Sequence, residues 1–420
     1  MTSSALPTGF ALEGDELRLD PREPAFFEDP YPTYAALHAS GRGTAVWREN
    51  KLRVAWRQET VSKLLRDRRF GRILPADTLG RADHSAQPPH VSAFYALEAN
   101  SLLELEPPTH TRLRSLVTKA FVSRRVEAME GAIRTIADDL IDAFAAAGEA
   151  DLVATFAEQL PVRVIARLIG VGEADSERLL AWSHAMVAMY RFGRTRSDED
   201  AAEAAARDFS AYLRDAIEEK RRRPAADLVS TLIAAESEDG RLSADEMVST
   251  LVLLLNAGHE ATVHAIGNAV AAILSHDIDA GVLLAEDSSA DRLVEEALRF
   301  DTPLHLFRRT ALEEVEVEGG TLARGEEIAL LLGAANRDPT VFAQPQRFDP
   351  ARAPNPHVSF GGGIHFCVGA PLARLEMRAA LRRLFERLPG LALAGTLSVR
   401  DTWHFRGLDR LDVRFDPVRS

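Results

Sequence analysis

Cysteine is almost absent from this chain of 420 residues, in which Cys367 is the only one. A single thiol cannot close a disulfide within the chain, and structural zinc sites use about four ligands rich in Cys or His. Iron–sulfur clusters are likewise held by about four ligands, mostly thiolates. Disulfide scaffolds, cysteine-based zinc sites and iron–sulfur clusters are therefore excluded as organising features of this protein.

The chain also lacks long apolar runs and an excess of positive charge. Its longest apolar stretches are far shorter than the roughly 20 residues that a membrane-spanning helix needs. No basic start followed by an apolar run opens the sequence, so we expect no secretory signal, no membrane contact and a cytoplasmic location. The formal net charge of -13 disfavours general nucleic-acid binding, since neutralising phosphates requires a basic excess. A monomer is the default expectation.

Composition and hydrophobic periodicity indicate a mainly α-helical protein. Hydrophobic residues make up 46% of the chain and charged residues 27%, which is typical of a globular protein with a large core. Helical spacing dominates residues 109–250. Ser243 and Glu246 have the spacing of a capping box and predict the start of a long helix that runs to about Ser275.

Strand patterns are fewer and lie towards the two ends of the chain. Alternating apolar residues, bounded by turn residues, occur at 42–58, 310–332 and 390–416. No linker separates them from the helical part. We therefore predict a single domain over residues 1–420, α-rich with small β-sheets at one edge, in which residues 1–25 are loosely ordered.

The one cysteine lies in a glycine-rich segment, Phe360-Gly361-Gly362-Gly363-Ile364-His365-Phe366-Cys367-Val368-Gly369. Contiguous glycines allow tight turns and close approach of the backbone to a flat ligand. Apolar residues at helical spacing follow from Ala370 to Leu388, so Cys367 lies near a helix N-terminus, where the macrodipole favours a thiolate. A flexible loop or a nucleotide-binding turn is the alternative for the glycines, and a small buried apolar residue is the alternative for the cysteine.

The string F-G-x-G-x-H-x-C-x-G resembles the haem-binding signature of the cytochrome P-450 family. The resemblance implies a soluble, bacterial-type haem-thiolate monooxygenase with the triangular, mainly α fold of that family. It also implies that Cys367 is the axial ligand of the iron of haem b, a role that a single thiolate can fill. Phe360, Gly361 and Gly369 would then be cofactor-binding residues.

The predicted long helix contains a second motif, A-G-H-E-A-T at 257–262. Glycine and charged groups are costly in the middle of an apolar helix, so a solvated face for His259 and Glu260 is the simplest explanation. The segment also resembles the oxygen-activating groove of the P-450 family. That resemblance implies that Ala257 and Gly258 leave room for dioxygen and that Glu260 belongs to a proton relay.

One position of this motif departs from the family pattern. The family usually has Thr directly after the acid, whereas this chain has Ala261, with Thr262 one position later. One position turns a side chain by about 100° around a helix, so we do not expect Thr262 to substitute directly. Proton delivery would instead use ordered water, a substrate hydroxyl or Glu260 itself, or turnover would be poorly coupled to product formation.

A third motif, Glu296-Ala297-Leu298-Arg299, places its acid and its arginine on one helix face. A surface ion pair is the simple explanation, because this spacing is common in helices. Together with Arg347, the two residues resemble the Glu-Arg-Arg triad of the P-450 family. Such a triad would lock the segment that supports the cysteine loop.

Two cationic residues, His110 and Arg114, lie four positions apart at the start of another predicted helix and share one face. In the P-450 family, residues at these positions and at Arg309 and His365 bind the haem propionates. A solvated basic helix start is the plain alternative. Binding of phosphate or of a carboxylated substrate would attract the same groups.

The substrate pocket is assigned by resemblance alone. Methionine and aromatic residues at helical spacing belong more often to a core than to a pocket. The family places pocket walls in the corresponding regions of this chain, and the predicted mostly apolar lining is formed by Phe94, Met186, Met189, Leu304, Leu306, Phe307 and His404.

The implied reaction inserts one atom of dioxygen into a C–H bond of an apolar, medium-sized organic molecule. Electrons would come from NAD(P)H through a separate ferredoxin reductase and ferredoxin, because no second cysteine can hold a cluster. A peroxygenase that uses hydrogen peroxide and a catalytically silent haem-binding or sensor protein are the alternatives. A non-haem hydrolase is disfavoured, since the chain has no G-x-S-x-G sequence.

Overall fold

The computed structural model describes residues 6–418 except 122, 192, 236–239, 277 and 401–403. Most of its regular structure is α-helical, which confirms the predicted fold class. The helices are α1 (Pro24–Phe27), α2 (Tyr31–Ala39), α3 (Gln58–Arg66), α4 (Ser92–Glu98), α5 (Thr109–Ala120), α6 (Ser123–Glu127), α7 (Glu130–Asp142), α8 (Gln159–Ile169), α9 (Ser176–Val187), α10 (Arg196–Arg222), α11 (Leu228–Ala234), α12 (Ala244–Ser275), α13 (Ala280–Ala285), α14 (Asp287–Phe300), α15 (Leu332–Ala335) and α16 (Ala370–Arg387).

The strands are short and form small sheets. They are β1 (Ala11–Glu13), β2 (Glu16–Arg18), β3 (Thr44–Trp47), β4 (Leu52–Ala55), β5 (Phe70–Gly71), β6 (Glu149–Asp151), β7 (Leu306–Ala311), β8 (Val315–Val317), β9 (Gly320–Leu322), β10 (Glu327–Leu331), β11 (Ala392–Leu393), β12 (Ser398–Val399), β13 (Leu408–Arg410) and β14 (Asp412–Arg414). The largest sheet has seven strands in the order β1-β2-β3-β4-β10-β7-β5. Smaller sheets have the orders β11-β14-β6, β12-β13 and β8-β9.

The N-terminal segment corrects one prediction. Residues 1–25 were predicted to be loosely ordered, but in their described part, 6–25, β1 and β2 pair with each other and β2 pairs in parallel with β3. Residues 1–5 lie outside the described residues. Leu17 and Leu19 are buried, and Trp47 Nε1 donates a hydrogen bond to Leu19 O at 2.8 Å. Strands of three residues span less than two repeats of the strand period, so their alternation was too short to recognise in the sequence.

The seven-stranded sheet is covered on both faces, as the alternation along β10 shows. Ile328 and Leu330 belong to a buried cluster that contains Leu64 of α3. Ala329 and Leu331 belong to a different cluster that contains the buried residues of α2. Successive side chains of a strand point to opposite faces, so this run of apolar residues is explained by packing on both sides.

The main core surrounds α12, the longest of the described helices. Its start is confirmed, because Glu246 N donates to Ser243 Oγ at 3.2 Å and Ser243 N donates to Glu246 Oε2 at 2.8 Å. The helix packs against α8, α10, α14 and α16, and most of its residues are buried. Although it is long, neither it nor any other helix in the described ranges is apolar enough to cross a membrane.

A buried carboxylate ties α14 to the segment that precedes the cysteine loop. Glu296 and Arg299 are fully buried, and Arg299 Nε and Nη2 donate to the two oxygens of Glu296 at 2.8 and 2.7 Å. Arg352 Nε donates to Glu296 Oε2 at 3.1 Å, and the backbone N–H of Asp349 donates to Oε1 at 2.8 Å. The alternative of a surface ion pair is therefore wrong, since this carboxylate receives charged donors from two directions.

The third member of this triad is Arg352, and its assignment to Arg347 is wrong. The Arg347 side chain is exposed, and only its backbone carbonyl takes part, by accepting from Arg299 Nη2 at 3.2 Å. The Arg352 side chain is 8% exposed and reaches Glu296 directly. Both arginines lie in the same irregular segment, where no helix or strand period predicts which of them points inward.

The triad reaches the cysteine loop through hydrogen bonds. Arg299 Nη1 donates to Asn336 O at 2.9 Å. The Asn336 side chain accepts from Val358 N at 2.8 Å and donates to Ser359 Oγ at 2.9 Å. Ser359 Oγ in turn donates to Leu298 O on α14 at 2.8 Å. The residue before Phe360 is therefore held from both sides by the same buried network.

Replacing Arg352 with Ala should destabilise the protein far more than replacing Arg347 with Ala. Removing one partner of a buried ion pair leaves the charge of Glu296 poorly compensated and costs about 3–5 kcal/mol. An exposed side chain such as that of Arg347 should stay within about 0.5 kcal/mol. Denaturant unfolding of both variants beside the parent protein measures the difference, and equal losses would contradict the assignment of Arg352.

Candidate active site

Cys367 ends a tight loop that is closed by its own backbone, because Cys367 N donates to Phe360 O at 3.0 Å. Gly361 and Gly363 have φ angles of +71° and +69°, the left-handed region that favours glycine. A Cβ atom on Gly363 would lie 2.4 Å from the backbone oxygen of Leu65 on α3. The loop therefore needs glycine for its conformation at both positions and for its contact with α3 at the second.

The Cys367 thiol lies beside the N-terminus of α16. Burial raises the pKa of this thiol, whereas the backbone N–H groups of Gly369 and Ala370 and the charges of Arg114 and Arg374 oppose the rise. The side chain nevertheless keeps an exposed surface. A sulfur that is set deep in the protein, accessible and surrounded by N–H donors and cations is suited to act as a thiolate ligand.

Four predicted cofactor-binding residues gather around this loop. The rings of His110 and His365 are 4.4 Å apart, and Arg114 Nη2 donates to Phe366 O at 2.6 Å. The charge of Arg309 acts on His365. In the described part of the chain, neither Arg114 nor Arg309 forms an ion pair with a carboxylate. These unpaired groups fit an anionic ligand better than a solvated helix start.

Burial shifts the pKa values of two of these groups. It lowers the pKa of Arg309 to about 9 and the pKa of His110 to about 4. The Nδ1 atom of His110 is buried and has no hydrogen-bond partner within the described ranges. Buried polar atoms are usually hydrogen-bonded, so this orphaned nitrogen and the unpaired arginines together fit the two carboxylates of a haem.

Glu106 is a member of this group that the sequence did not single out. Its Oε1 lies 3.1 Å from His365 Nε2 and accepts a hydrogen bond from Arg72 N. Burial by itself raises the pKa of Glu106, but the contact with His365 and the neighbouring charges bring the pKa below its usual value. Glu106 orients His365, and a glutamate before two prolines follows no pattern that would have predicted this contact.

One face of α12 remains accessible although the helix runs through the core. Leu253, Ala257 and Ala261 are spaced by four residues, and none of the three is buried. Ala257 is exposed in the middle of the helix, and Asn256 beside it is half-buried. We call Leu253, Ala257 and Ala261 the open stripe of α12, because it borders accessible space.

Gly258 has a packing contact that the groove prediction did not include, and Thr262 is bound within the helix. A Cβ atom on Gly258 would lie 3.2 Å from Cγ1 and Cδ1 of Ile165, so this glycine lets α8 approach α12. Thr262 is buried, and its Oγ1 donates to Gly258 O at 3.3 Å. The hydroxyl of Thr262 is therefore bound to the helix backbone and is turned away from Ala261, as its position one residue later predicts.

His259 and Glu260 are both buried, so the interpretation that they form a solvated face is wrong. Glu260 lies among three imidazoles, those of His184, His259 and His264. Burial by itself raises the pKa of Glu260, but the three imidazoles, with His264 foremost, bring it down to about 2. An ionised carboxylate therefore lies one residue before Ala261 of the open stripe.

The predicted pocket residues separate on the two faces of β7. Phe307 is half-buried and packs against the cysteine loop, since a Cβ atom on Gly361 would lie 3.1 Å from its ring. Leu306 points to the opposite face and is buried in the cluster beneath α2. The assignment of Leu306 to the pocket is therefore wrong, because it belongs to the core of the sheet.

The other pocket predictions lie in the interior or in the C-terminal turn. Phe94, Met186 and Met189 are buried in the main core, and Asn256 Nδ2 lies 3.7 Å from Met186 Sδ beside the open stripe. Leu304 is half-buried and bridges to the strand-like residue Phe405. His404 is half-buried at that turn, and burial lowers its pKa to about 4.

The glycine requirement of the loop predicts a specific loss of stability. Gly363→Ala should destabilise the protein by on the order of 1–3 kcal/mol, because a left-handed non-glycine residue is strained and its Cβ meets backbone. Gly395→Ala is the matched control, since nothing lies within 4 Å of its added Cβ. Thermal unfolding of both variants is the measurement. A Gly363→Ala protein as stable as the Gly395→Ala protein would contradict the loop geometry.

Comparison with known proteins places this geometry in a family. The family model described as Cytochrome P-450 matches residues 290–389, which include Glu296, Arg299 and Cys367. Cytochrome P-450 monooxygenase PikC of Streptomyces venezuelae is 38% identical over 93% of this chain and 92% of its own length. Vitamin D(3) 25-hydroxylase of Pseudonocardia autotrophica is 41% identical over 93% of this chain and 95% of its own length.

A solved structure shows the same relationship in three dimensions. The crystal structure of P-450 BioI in complex with acyl carrier protein ligated to hexadec-9Z-enoic acid superimposes with a TM-score of 0.85 at 33% sequence identity. The match covers 93% of this chain and 100% of that chain. With the thiol, the loop and the buried triad in place, these similarities show that the chain belongs to the cytochrome P-450 family and is a monooxygenase of that family.

Proposed function

We propose that the cofactor is haem b, that Cys367 Sγ would bind its iron, and that the cysteine loop and the open stripe of α12 would line its site. The observation that carries this proposal is the accessible thiol beside Arg114, together with Arg309, whose charge acts on His365 of the same loop. When bound, a thiolate-ligated haem supplies dioxygen activation, because the thiolate donates electron density that favours O–O cleavage.

In this proposal the cationic group around the loop binds the two propionates. Arg114 and Arg309 supply the positive charge, and His110 Nδ1 supplies a buried atom that needs a partner. Glu106 fixes the orientation of His365 through the 3.1 Å contact between them. Phe360, beneath the guanidinium of Arg374 at 4.4 Å, closes the other side of the loop. Arginine is well suited to this role because its planar fork matches a carboxylate.

The proposed reaction is the insertion of one oxygen atom of dioxygen into a C–H bond of an apolar, medium-sized molecule. The accessible side chains of the open stripe are apolar, and so is Phe307 beside the loop. The names of the relatives point to the same chemistry, since vitamin D(3) and hexadec-9Z-enoic acid both present extended hydrocarbon to an enzyme. Such a pocket positions substrate by shape and by few polar contacts.

We further propose that electrons come from NAD(P)H through a separate ferredoxin reductase and ferredoxin. The chain has one cysteine, which the proposed haem uses, so it cannot hold an iron–sulfur cluster of its own. An electron-transfer partner must therefore bring its own redox centre to the protein.

We propose that Glu260 relays protons to the open stripe of α12, by taking up a proton from a neighbouring imidazole or from water and passing it on. Its carboxylate is ionised and buried and has imidazoles on two sides. Ala261 brings no hydroxyl to the open stripe, and Thr262 uses its hydroxyl within the helix. Water or a substrate hydroxyl must therefore carry the proton from Glu260 to the open stripe.

A peroxygenase is the second candidate function, because Ala261 is the feature that weakens proton delivery after dioxygen binding. Against it, α12 contains no Lys or Arg that could hold a substrate carboxylate. A catalytically silent haem-binding protein would show the cofactor without any substrate oxidation. Product formation with NADPH, ferredoxin reductase and ferredoxin, compared with product formation from hydrogen peroxide alone, separates the three functions.

Cys367→Ser tests the axial ligand. The dithionite-reduced parent protein should give a far-red-shifted Soret band with carbon monoxide, and the variant should lose that band, because a serine oxygen does not replace a thiolate donor. The measurement is the carbon monoxide difference spectrum of both proteins. An unshifted, imidazole-type band that persists in the variant would overturn the assignment of Cys367.

Ala261→Thr tests the proton route. A hydroxyl on the open stripe should raise the ratio of product formed to dioxygen consumed without changing haem content, since it adds a hydrogen-bond donor beside Glu260. Thr262→Ala is the matched control and should leave that ratio unchanged, because the hydroxyl of Thr262 is bound to Gly258 O. Product and oxygen uptake are measured together, and equal ratios in parent and Ala261→Thr would contradict this role.

A further inference from the structure

Three histidines surround the buried carboxylate of Glu260 on α12. Glu260 directly precedes Ala261 of the open stripe. His184 of α9 and His259 of α12 both face Glu260 Oε2, with their Nε2 atoms at 3.9 and 3.6 Å. His264 Nε2 faces the other oxygen, Oε1, at 3.6 Å. Ligand atoms of His184, His259 and Glu260 all lie within 4.8 Å of one another.

The orientation of His259 leaves one ring nitrogen available as a ligand. Its Nδ1 lies 3.2 Å from Ser183 Oγ, and its Nε2 is buried without a hydrogen-bond partner in the described part of the protein. A proton on Nδ1, donated to Ser183 Oγ, puts the lone pair on Nε2, which points at Glu260. Metal-ligating imidazoles are typically oriented by a hydrogen bond from their other nitrogen in this way.

The charge of the cluster also favours a cation. Glu260 supplies the carboxylate of this cluster, and nitrogen atoms of three imidazoles face its two oxygens at 3.6–3.9 Å. No Lys or Arg within the described ranges forms an ion pair with Glu260. Arg400, which acts on His259 from a distance, is paired with Glu158 at 3.2 Å.

We propose that His184, His259 and Glu260 bind a divalent transition-metal ion such as Zn²⁺, while His264 Nε2 faces the second carboxylate oxygen at 3.6 Å. Two imidazoles and one carboxylate are a ligand set that Zn²⁺ accepts, with a fourth position left for water or another ligand. The distances to Glu260 Oε2, 3.9 Å from His184 and 3.6 Å from His259, are close to the roughly 3.3–3.6 Å that separates ligand atoms in a tetrahedral zinc site with bonds of about 2.0–2.2 Å. All three ligand atoms lie within 4.8 Å of one another, so they must draw together around the ion.

The position of His184 gives the ion a way in. Its side chain is 37% exposed, whereas those of His259 and Glu260 are 1% and 9% exposed. A metal ion can therefore meet His184 first and then the two buried ligands. A usable metal site needs access from solvent, an anionic ligand and an imidazole that is oriented by a hydrogen bond, and this cluster has all three.

Metal binding would withdraw Glu260 from proton delivery, and this consequence rests on the proposed function whereas the site itself does not. A carboxylate oxygen that binds Zn²⁺ is no longer free to accept and pass on a proton. Cys367 is not part of the cluster, so metal binding should leave the proposed bond between its thiolate and the haem iron unchanged. We expect Zn²⁺ to slow product formation while the carbon monoxide difference spectrum stays the same.

Equilibrium dialysis of the chelator-treated holoprotein against Zn²⁺, with bound metal measured by mass spectrometry, tests the site. The parent should bind one Zn²⁺ that His184→Gln and Glu260→Gln lose, or bind at least about tenfold more weakly. His90→Gln is the matched control, because His90 pairs with Glu199 at 2.7 Å outside the cluster and should leave this ion in place. The carbon monoxide spectrum of each variant shows that it has folded around its cofactor.

Zn²⁺ binding that is absent in the parent, or equal in the parent, His184→Gln and Glu260→Gln, would overturn the site. If the parent binds the ion and loses it in both variants, but Zn²⁺ inhibits the parent and His184→Gln equally, the link to proton delivery fails. Absence of product in chelator-treated parent protein counts against the proposed function alone, because metal binding is measured without turnover.

Discussion

The cysteine loop depends on one buried carboxylate. Glu296 is fully buried, and an ionised group in a protein core is stable only when charged donors surround it. Arg299 reaches it from the same helix and Arg352 from the segment before the loop, so the two parts of the chain are locked to each other. Asn336 extends this network to Ser359, one residue before the loop begins. Mispositioning of this network would therefore displace the thiol itself.

The long helix α12 meets two opposite demands within a few residues. Its open stripe keeps small apolar side chains next to accessible space, while the next residues place an ionised Glu260 among imidazoles in the interior. Gly258 allows Ile165 of α8 to pack closely against α12. The charged carboxylate is thereby held in the interior next to the open stripe, an arrangement that suits both the proposed proton delivery and the proposed binding of a cation.

Electrostatics divides the surroundings of the proposed haem into distinct regions. Arg114 and Arg309 remain unpaired near the cysteine loop, where two carboxylates would complete them. Glu106 supplies only one negative charge there and is engaged with His365. On α12 the sign is reversed, since three imidazoles face the Glu260 carboxylate and no Lys or Arg of the described residues pairs with it. The two proposed ligands therefore differ in charge, with the carboxylates of the haem at the loop and a cation beside the long helix.

The sequence alone determined the features that depend on neighbouring residues. The glycine pattern around Cys367, the capping box of α12 and the pairing of Glu296 with Arg299 follow from local spacing, because backbone conformation and helix period act over a few residues. Only the tertiary structure chose Arg352 over the exposed Arg347, placed Leu306 in the core of the sheet, and brought His184 to a carboxylate on another helix. These contacts depend on which distant segments pack together, and the local periodicity of the sequence does not predict such packing.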